Sequence, residues 1–302
     1  MKEKLFLLLL LFVPALTSMA QHKQQAKLLR KALEENSTEM LFEFFDNWAN
    51  EVQSNEKKAK NPYVAEAHKV FAAFYQPMQM VKRGARQTMY DDKPYYIVQS
   101  SLWKICKTDV ILYKQEEIDS FMIARILPVY ADDTAYQRQW LENLPPEGWS
   151  GYWFNYYNDW RSWNTISMPK VTVDSAVEFR PPVHFEGKKV VYLTKKYKKL
   201  LDAFLEDRHV DLGENNIMQP AYSKGDSRAK QQFIDSAAHI YYGHWGGYWQ
   251  YETYPEAEQI IFNPEMNRAV VLFRFVYEGG QVILEKQNGE WTVVDTRFIW
   301  IE

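Results

Sequence analysis

Residues 269–301 read AVVLFRFVYEGGQVILEKQNGEWTVVDTRFIWI, and this stretch has the clearest structural pattern in the chain. Apolar residues alternate with polar ones, or form short runs, between clusters of turn residues, which predicts β-strands joined by hairpins. Asn288-Gly289 stands between two such runs and is a strong hairpin signal. Glu278-Gly279-Gly280 is predicted to form the preceding turn. The sequence therefore predicts an antiparallel meander of four strands: Gln259–Phe262, Ala269–Tyr277, Gln281–Lys286 and Trp291–Ile301.

Amphipathic helices are predicted ahead of the strands. Apolar residues recur at spacings of three and four from Leu41 to Val52, with Asn36 as the predicted N-terminal cap. Asn61-Pro62 predicts the start of a second helix, because Asn caps helices and Pro is favoured at the first helical position. Later in the chain, a helical face begins at Tyr197, and a further helix is predicted over Ser227–Tyr242.

The order of elements indicates the fold class. Helices precede strands twice, at residues 23–76 then 95–126, and at residues 195–242 then 259–301. This order predicts an α+β fold in which helices pack on curved antiparallel sheets, arranged as two modules, 21–165 and 166–302. The other predicted strands are Tyr95–Gln99, Leu102–Cys106, Val110–Tyr113, Ser120–Ile126, Val171–Phe179 and Lys189–Thr194.

Residues 1–20 have the pattern of a secretory signal peptide. Lys2 and Lys4 precede the apolar run Leu5–Leu16, and Ser18-Met19-Ala20 supplies small residues before Gln21. The apolar run is shorter than the roughly 20 residues of a membrane-spanning helix. We therefore expect export to the periplasm or the exterior with cleavage before Gln21, and no membrane span after cleavage. The alternative is an uncleaved anchor.

Charge and cysteine content narrow the functional classes. The formal net charge of −3 gives no electrostatic reason to expect nucleic-acid binding. Cys106 is the single cysteine, so an intramolecular disulfide is impossible, and its apolar strand context predicts a buried small hydrophobe rather than a nucleophile. The stability of this exported chain must therefore come from core packing.

The last hundred residues resemble the nuclear-transport-factor-like superfamily of cone-shaped α+β domains. The resemblance rests on helices followed by a curved antiparallel meander, whose last strand begins Asn288-Gly289-Glu290-Trp291. It implies that helices cover a bent sheet and leave an apolar pocket, in which catalytic members place an acidic residue or a histidine. No such residue of this chain matches a family motif, and the fold hosts both enzymes and binding modules.

Two aromatic-rich segments are the candidate ligand sites. Trp149–Trp163 contains eight aromatic residues among amides and charges, and a second cluster runs from Tyr241 to Tyr254. Aromatic faces beside polar groups suit sugar rings, whereas the alternative is core or interdomain packing. The candidate ligand-binding residues are Trp149, Tyr152, Trp153, Tyr156, Tyr157, Trp160, Trp245, Tyr248 and Trp249.

Evidence for metal or acid–base chemistry is slight. Asp207, His209 and Asp211 would share one side of an extended segment and could hold a divalent ion, but a solvated loop is the simpler interpretation. His239 and His244 are five residues apart, which does not suit a metal pair on a helix. We expect no cofactor. The basic residues between Lys188 and Lys199 fit a solvated surface, with an anionic polymer as the alternative.

These patterns favour an exported, non-catalytic binding or accessory protein that recognises a glycan or an envelope protein partner through aromatic surfaces. The rival is a hydrolase or isomerase with acid–base residues in a cone-shaped pocket. A third possibility is a structural subunit of an envelope assembly.

Overall fold

The computed structural model describes residues 22–80, 93–121, 166–167, 171–206, 227–242 and 249–301. It confirms the α+β fold with an antiparallel sheet at the C-terminal end. The helices are α1 (22–34), α2 (Thr38–Glu51), α3 (Pro62–Phe74), α4 (Gln115–Phe121), α5 (Lys195–Leu205) and α6 (Ser227–Asp235), with short 3-10 turns at Glu56–Lys58 and Pro77–Gln79. The strands are β1 (Tyr95–Gln99), β2 (Ser101–Lys107), β3 (Ile111–Leu112), β4 (Ile166–Ser167), β5 (Val171–Glu178), β6 (Lys189–Leu193), β7 (Tyr241–Tyr242), β8 (Trp249–Gln250), β9 (Glu256–Phe262), β10 (Arg268–Phe275), β11 (Glu278–Gln287) and β12 (Glu290–Ile301).

The chain forms two compact units, each assembled from separated segments. Unit 1 takes its residues from 1–55, 88–100 and 183–254, and unit 2 from 56–87, 101–182 and 255–302. The division differs from the one predicted at residues 165 and 166, because each unit takes segments from both sides of that position. Within the described ranges, every helix is too short or too polar to cross a bilayer.

Unit 1 is built on a parallel pair of strands. β1 pairs with β6 in register from Tyr95 opposite Lys189 to Gln99 opposite Leu193. Helix α2 supplies the aromatic core of this unit, because the Trp48 ring stacks on Tyr197 with centroids 4.3 Å apart and an interplanar angle of 4°. The Trp48 indole N–H donates to the Tyr192 carbonyl at 3.0 Å, so the buried ring keeps a polar partner.

Unit 2 is a six-stranded sheet in the order β12-β11-β10-β9-β2-β5. All its pairs are antiparallel except β2 with β9, which are parallel. Helix α3 covers one face, where Phe74 meets Phe273 at 5.7 Å and Tyr63 meets Phe262 at 5.9 Å between ring centroids. Register shifts in the β9–β10, β11–β12 and β2–β5 pairs mark bulges, which bend a sheet.

The helix caps agree with the sequence at one position and differ at another. Asn61 caps α3 as predicted, and its side chain accepts the Tyr63 N–H at 2.9 Å. The predicted cap Asn36 is wrong, because Ser37 caps α2 by accepting the Met40 N–H at 3.2 Å. Asn36 instead adopts a φ of 50° just after α1, a conformation that Asn tolerates at helix ends.

The two predicted turns of the meander have different outcomes. Asn288-Gly289 is confirmed, because Gln287 pairs with Glu290 and both turn residues have positive φ. The predicted turn at Glu278-Gly279-Gly280 is wrong: these residues begin β11, and the chain reverses at residues 276–277. A Cβ on Gly280 would lie 2.0 Å from the Arg297 carbonyl oxygen, so this glycine serves a close backbone approach.

Two predicted elements are also corrected. The helix predicted over Ser227–Tyr242 ends at Asp235, and its last two residues form β7. The strand predicted over Ser120–Ile126 begins inside α4, and residues 122–126 lie outside the described ranges.

Candidate functional site

The aromatic hairpin, defined here as β7 paired with β8, contains the described strands of the second aromatic cluster. The two strands are antiparallel, with Tyr241 opposite Gln250 and Tyr242 opposite Trp249. The rings of Tyr242 and Trp249 meet edge to face, with centroids 5.1 Å apart. Trp249 is 6% exposed, and its indole N–H donates to the Glu206 carbonyl at 2.9 Å. Trp249 therefore anchors the hairpin in the core of unit 1.

Tyr241 belongs to a row of three rings at the hairpin. Successive residues of a strand point to opposite sides, so Tyr241 and Tyr242 face different surroundings. The half-buried Tyr241 ring lies 6.0 Å from the His239 ring at an interplanar angle of 21°, and 6.1 Å from the Tyr254 ring. The Tyr254 hydroxyl donates to Oε1 of Gln250 on β8. The row thus joins aromatic faces to an amide group.

A polar cluster around Asp235 fixes the end of α6 next to this row. Its carboxylate contacts His239 Nδ1 at 2.5 Å and Lys93 Nζ at 3.1 Å, and accepts the Ile240 N–H at 3.3 Å. Burial would raise the pKa of Asp235, but the bonds from His239 and Lys93 lower it below its usual range. An ionised carboxylate therefore holds the His239 ring beside Tyr241.

A second carboxyl group of unit 1 behaves in the opposite way. Burial raises the pKa of Glu252, although the backbone N–H groups of Tyr251 and Glu252 and the charge of Lys198 oppose the shift. Lys198 also pairs with Asp202 at 2.9 Å. Lys198 thus has two carboxyl neighbours, Asp202 and Glu252.

Three places in unit 1 share one arrangement, which we call the tyrosine–carboxylate–lysine trios. In each, a tyrosine hydroxyl and a lysine bind the same carboxylate, and the lysine Nζ lies 5.4–5.8 Å from the centroid of that tyrosine ring. Burial and the neighbouring carboxylate raise the pKa of Tyr95 and of Tyr197, so these hydroxyls stay protonated donors. The trios are Tyr95–Asp46–Lys189, Tyr197–Glu51–Lys196 and Tyr251–Asp202–Lys198.

The trios account for three of the six lysines in the predicted basic run between Lys188 and Lys199. These three are neutralised by carboxylates, and Lys188 lies over the Tyr96 ring at 5.7 Å. Lys195 and Lys199 are exposed. Half of the run is therefore internally compensated.

Most of the predicted site residues lie outside the described ranges. Among the ligand-binding candidates the structure describes Trp249, which is buried as core packing requires. Among the described residues, no group of His, Cys, Asp or Glu could hold a metal ion. Cys106 is buried as predicted. The residues outside the described ranges are Trp149, Tyr152, Trp153, Tyr156, Tyr157, Trp160, Trp245, Tyr248, Asp207, His209, Asp211 and His244.

Two features were missed in the sequence. Asp235 lies four residues before His239, a spacing that brings side chains together on a helix and could have indicated the pair. Trp103 was assigned to an apolar strand, yet it is 65% exposed on β2, with Lys104 Nζ 5.0 Å from its ring centroid. No local signal distinguishes that exposed tryptophan from a buried one.

Comparisons with protein-family models, curated proteins and solved structures gave no significant match to this chain.

Proposed function

We propose that this protein is an exported, non-catalytic binding or accessory protein, and that the aromatic hairpin forms part of its surface for a ring-bearing ligand such as a glycan. One observation carries the proposal: the half-buried Tyr241 ring lies between His239 and Tyr254, beside the ionised Asp235. The predicted candidates Trp245 and Tyr248 occur in the residues that connect β7 to β8.

The chemistry of a sugar supports this choice of ligand. The C–H face of a pyranose ring packs on an aromatic face, and its hydroxyl groups need polar partners close by. Tyr241 would supply the face, and the part-exposed carboxylate of Asp235 would accept a hydrogen bond from a sugar hydroxyl. A rigid ring held by ordered neighbours also loses little entropy on binding.

A second candidate function is hydrolysis or isomerisation, the rival predicted from the sequence. The specific observation that favours it is Glu252, whose pKa is raised by burial close to the ion pair of Lys198 with Asp202. A carboxyl group with a raised pKa is a candidate general acid. The exposed Trp103 supports recognition of a protein partner instead, since tryptophan is enriched at interface hot spots.

Titration with a panel of neutral oligosaccharides, followed by tryptophan fluorescence and calorimetry, tests the glycan proposal. Tyr241→Ala is expected to weaken binding by roughly tenfold, since an aromatic contact contributes about 1 kcal/mol beyond its buried area. Tyr63→Ala, which removes a half-buried tyrosine from unit 2, is the matched control and should leave the affinity unchanged. A wild-type protein that binds no oligosaccharide in the panel, or equal losses in both variants, would refute the proposal.

A further inference from the structure

A row of cations follows the exposed side of helix α1. Lys23, Lys27, Arg30 and Lys31 are all exposed, and their spacings place them on neighbouring positions of one helical face. The opposite side carries Gln25, Leu29 and Ala32, which are 0–5% exposed. We call these four residues the cationic stripe. Leu29 packs in the core of unit 1 and so fixes the orientation of α1, with the stripe facing solvent.

The charge of the stripe is largely uncompensated. Lys31 pairs with Glu35 at 3.5 Å, whereas Lys23 and Lys27 form no ion pair with any residue in the described ranges. Arg30 lies close enough to Glu206 to lower the pKa of that carboxyl, but the larger cause is Lys230, which pairs with Glu206 at 2.9 Å. The positive charge of Arg30 is therefore only partly compensated by Glu206.

Three other lysines of the same unit are compensated by their surroundings. In the tyrosine–carboxylate–lysine trios, each lysine binds a carboxylate and lies over an aromatic ring. In the described part of the chain, Lys23 and Lys27 have neither feature, and Lys31 has only its pair with Glu35. A protein whose net charge is −3 therefore keeps a local concentration of positive charge on one helix.

The stripe borders a groove that runs along α1. The groove has a volume of about 590 Å³, and its described lining is the four cations together with Ala26, Glu34 and Glu35. From Lys23 to Lys31 the helix rises about 12 Å, so the cations form a line rather than a single point.

We propose that the cationic stripe binds a linear polyanion, such as a polysaccharide that carries sulfate, phosphate or carboxylate groups. A chain with repeating negative charges matches a line of cations. Binding of a polyanion releases its condensed counterions, so the affinity must fall as salt rises. The stripe consists of α1 residues and includes none of the aromatic hairpin, and the inference does not depend on the function proposed for that hairpin.

The test uses dextran sulfate as the polyanion and neutral dextran of the same length as its control. Wild-type protein should bind dextran sulfate at 50 mM NaCl and lose at least tenfold in affinity at 200 mM NaCl. The triple variant Lys23→Gln/Lys27→Gln/Arg30→Gln should bind at least tenfold more weakly at 50 mM NaCl. Each lost contact should lower the slope of log Kd against log salt by roughly 0.7, so the loss of three contacts should lower it by about 2.

A matched variant separates the stripe from net charge. Lys58→Gln/Lys195→Gln/Lys199→Gln removes the same three charges from exposed positions elsewhere and should bind like the wild type. Both variants should keep the wild-type circular dichroism and melting temperature, because exposed substitutions of this kind change stability little.

Three results would overturn the proposal. They are no binding of dextran sulfate by the wild type, equal weakening in both triple variants, and binding only to vesicles that contain phosphatidylglycerol. Binding of neutral oligosaccharides should be the same in the stripe variant and the wild type, so this inference can fail while the function proposed for the aromatic hairpin stands, and the reverse.

Discussion

Replacing His68 should remove most of the pH dependence of stability between pH 6.5 and 4.5. His68 lies on α3 with 2% of its surface exposed, and its ring stacks on Phe179 with centroids 4.4 Å apart. Its Nδ1 atom has no hydrogen-bond partner among the residues that the structure describes. Burial lowers the pKa of His68 from 6.5 to about 4, because the imidazolium form cannot be solvated there.

The sign and size of the effect follow from proton linkage. Below pH 6.5 the unfolded chain protonates this histidine, while the folded protein keeps it neutral until about pH 4. The free energy of unfolding contributed by His68 is therefore fully present above pH 6.5 and decreases as the pH falls. The limiting slope is about 1.36 kcal/mol for each pH unit, but the unfolded-state histidine is only half protonated at pH 6.5, so the loss from pH 6.5 to 4.5 is about 2 kcal/mol. The pKa of Glu66 is lowered from 4.5 to about 2, so its contribution changes only below this window.

Urea unfolding of wild-type protein, His68→Phe and His68→Gln at pH 7.5, 6.5, 5.5 and 4.5 tests this reasoning. Neither replacement titrates, so both variants should lose about 2 kcal/mol less than the wild type between pH 6.5 and 4.5. His184→Gln, which removes an exposed histidine, should follow the wild-type curve. Curves for the His68 variants that run parallel to the wild-type curve would refute the argument from burial.

The remaining predictions concern contacts that hold unit 2 and helix α2. Burial would raise the pKa of Glu66, but hydrogen bonds from Lys286, Lys69 and Trp291 outweigh this effect. Glu66→Gln should therefore cost about 3 kcal/mol at pH 7 and remove the part of the stability loss from pH 4.5 to 2 that Glu66 contributes, measured by urea unfolding. Gly280→Ala should lower the free energy of unfolding by about 3 kcal/mol, because the new Cβ would overlap the Arg297 carbonyl. Gly289→Ala, at a φ of 87° with open space around it, should cost only about 1 kcal/mol, and equal effects of the two glycine variants in thermal unfolding would contradict this distinction. Ser37→Ala should cost about 1 kcal/mol through loss of the α2 cap, and no change in the unfolding midpoint would count against that cap.

Local signals in the sequence predicted the elements whose geometry depends on a few neighbouring residues. Asn61-Pro62 gave the correct start of α3, because a side-chain cap and a fixed φ act within one helical turn. Asn288-Gly289 gave the correct hairpin, because positive φ at both turn residues is an intrinsic preference. Alternation of apolar residues was enough for the antiparallel meander.

The predictions from sequence were wrong where the local structure depends on backbone segments that are distant in the chain. Gly279-Gly280 has turn chemistry, but the approach of β12 to Gly280 places both residues inside a strand. The parallel pairing of β1 with β6, and of β2 with β9, depends on segments far apart in the chain, which no periodicity reveals. The interleaved units follow from these two pairings.

The sequence predicted which types of residue form the candidate site, but not how their side chains are arranged. The cluster from Tyr241 to Tyr254 was identified by aromatic density, but density does not distinguish the buried Trp249 from the half-buried Tyr241. The pairing of His239 with Asp235 was accessible from spacing alone, whereas the contact of Lys93 with the same carboxylate required the fold.

The interleaving of the two units has a consequence for how a newly made chain can fold. Ile97 and Thr253 exchange two hydrogen bonds in unit 1 although 156 residues separate them, and unit 2 needs the strands that follow. During synthesis, the contact between Ile97 and Thr253 in unit 1 cannot form until Thr253 has left the ribosome. The last strands of unit 2 leave the ribosome later still. A nascent polypeptide that ends before residue 183 lacks β6 and β9–β12, so it can complete neither core.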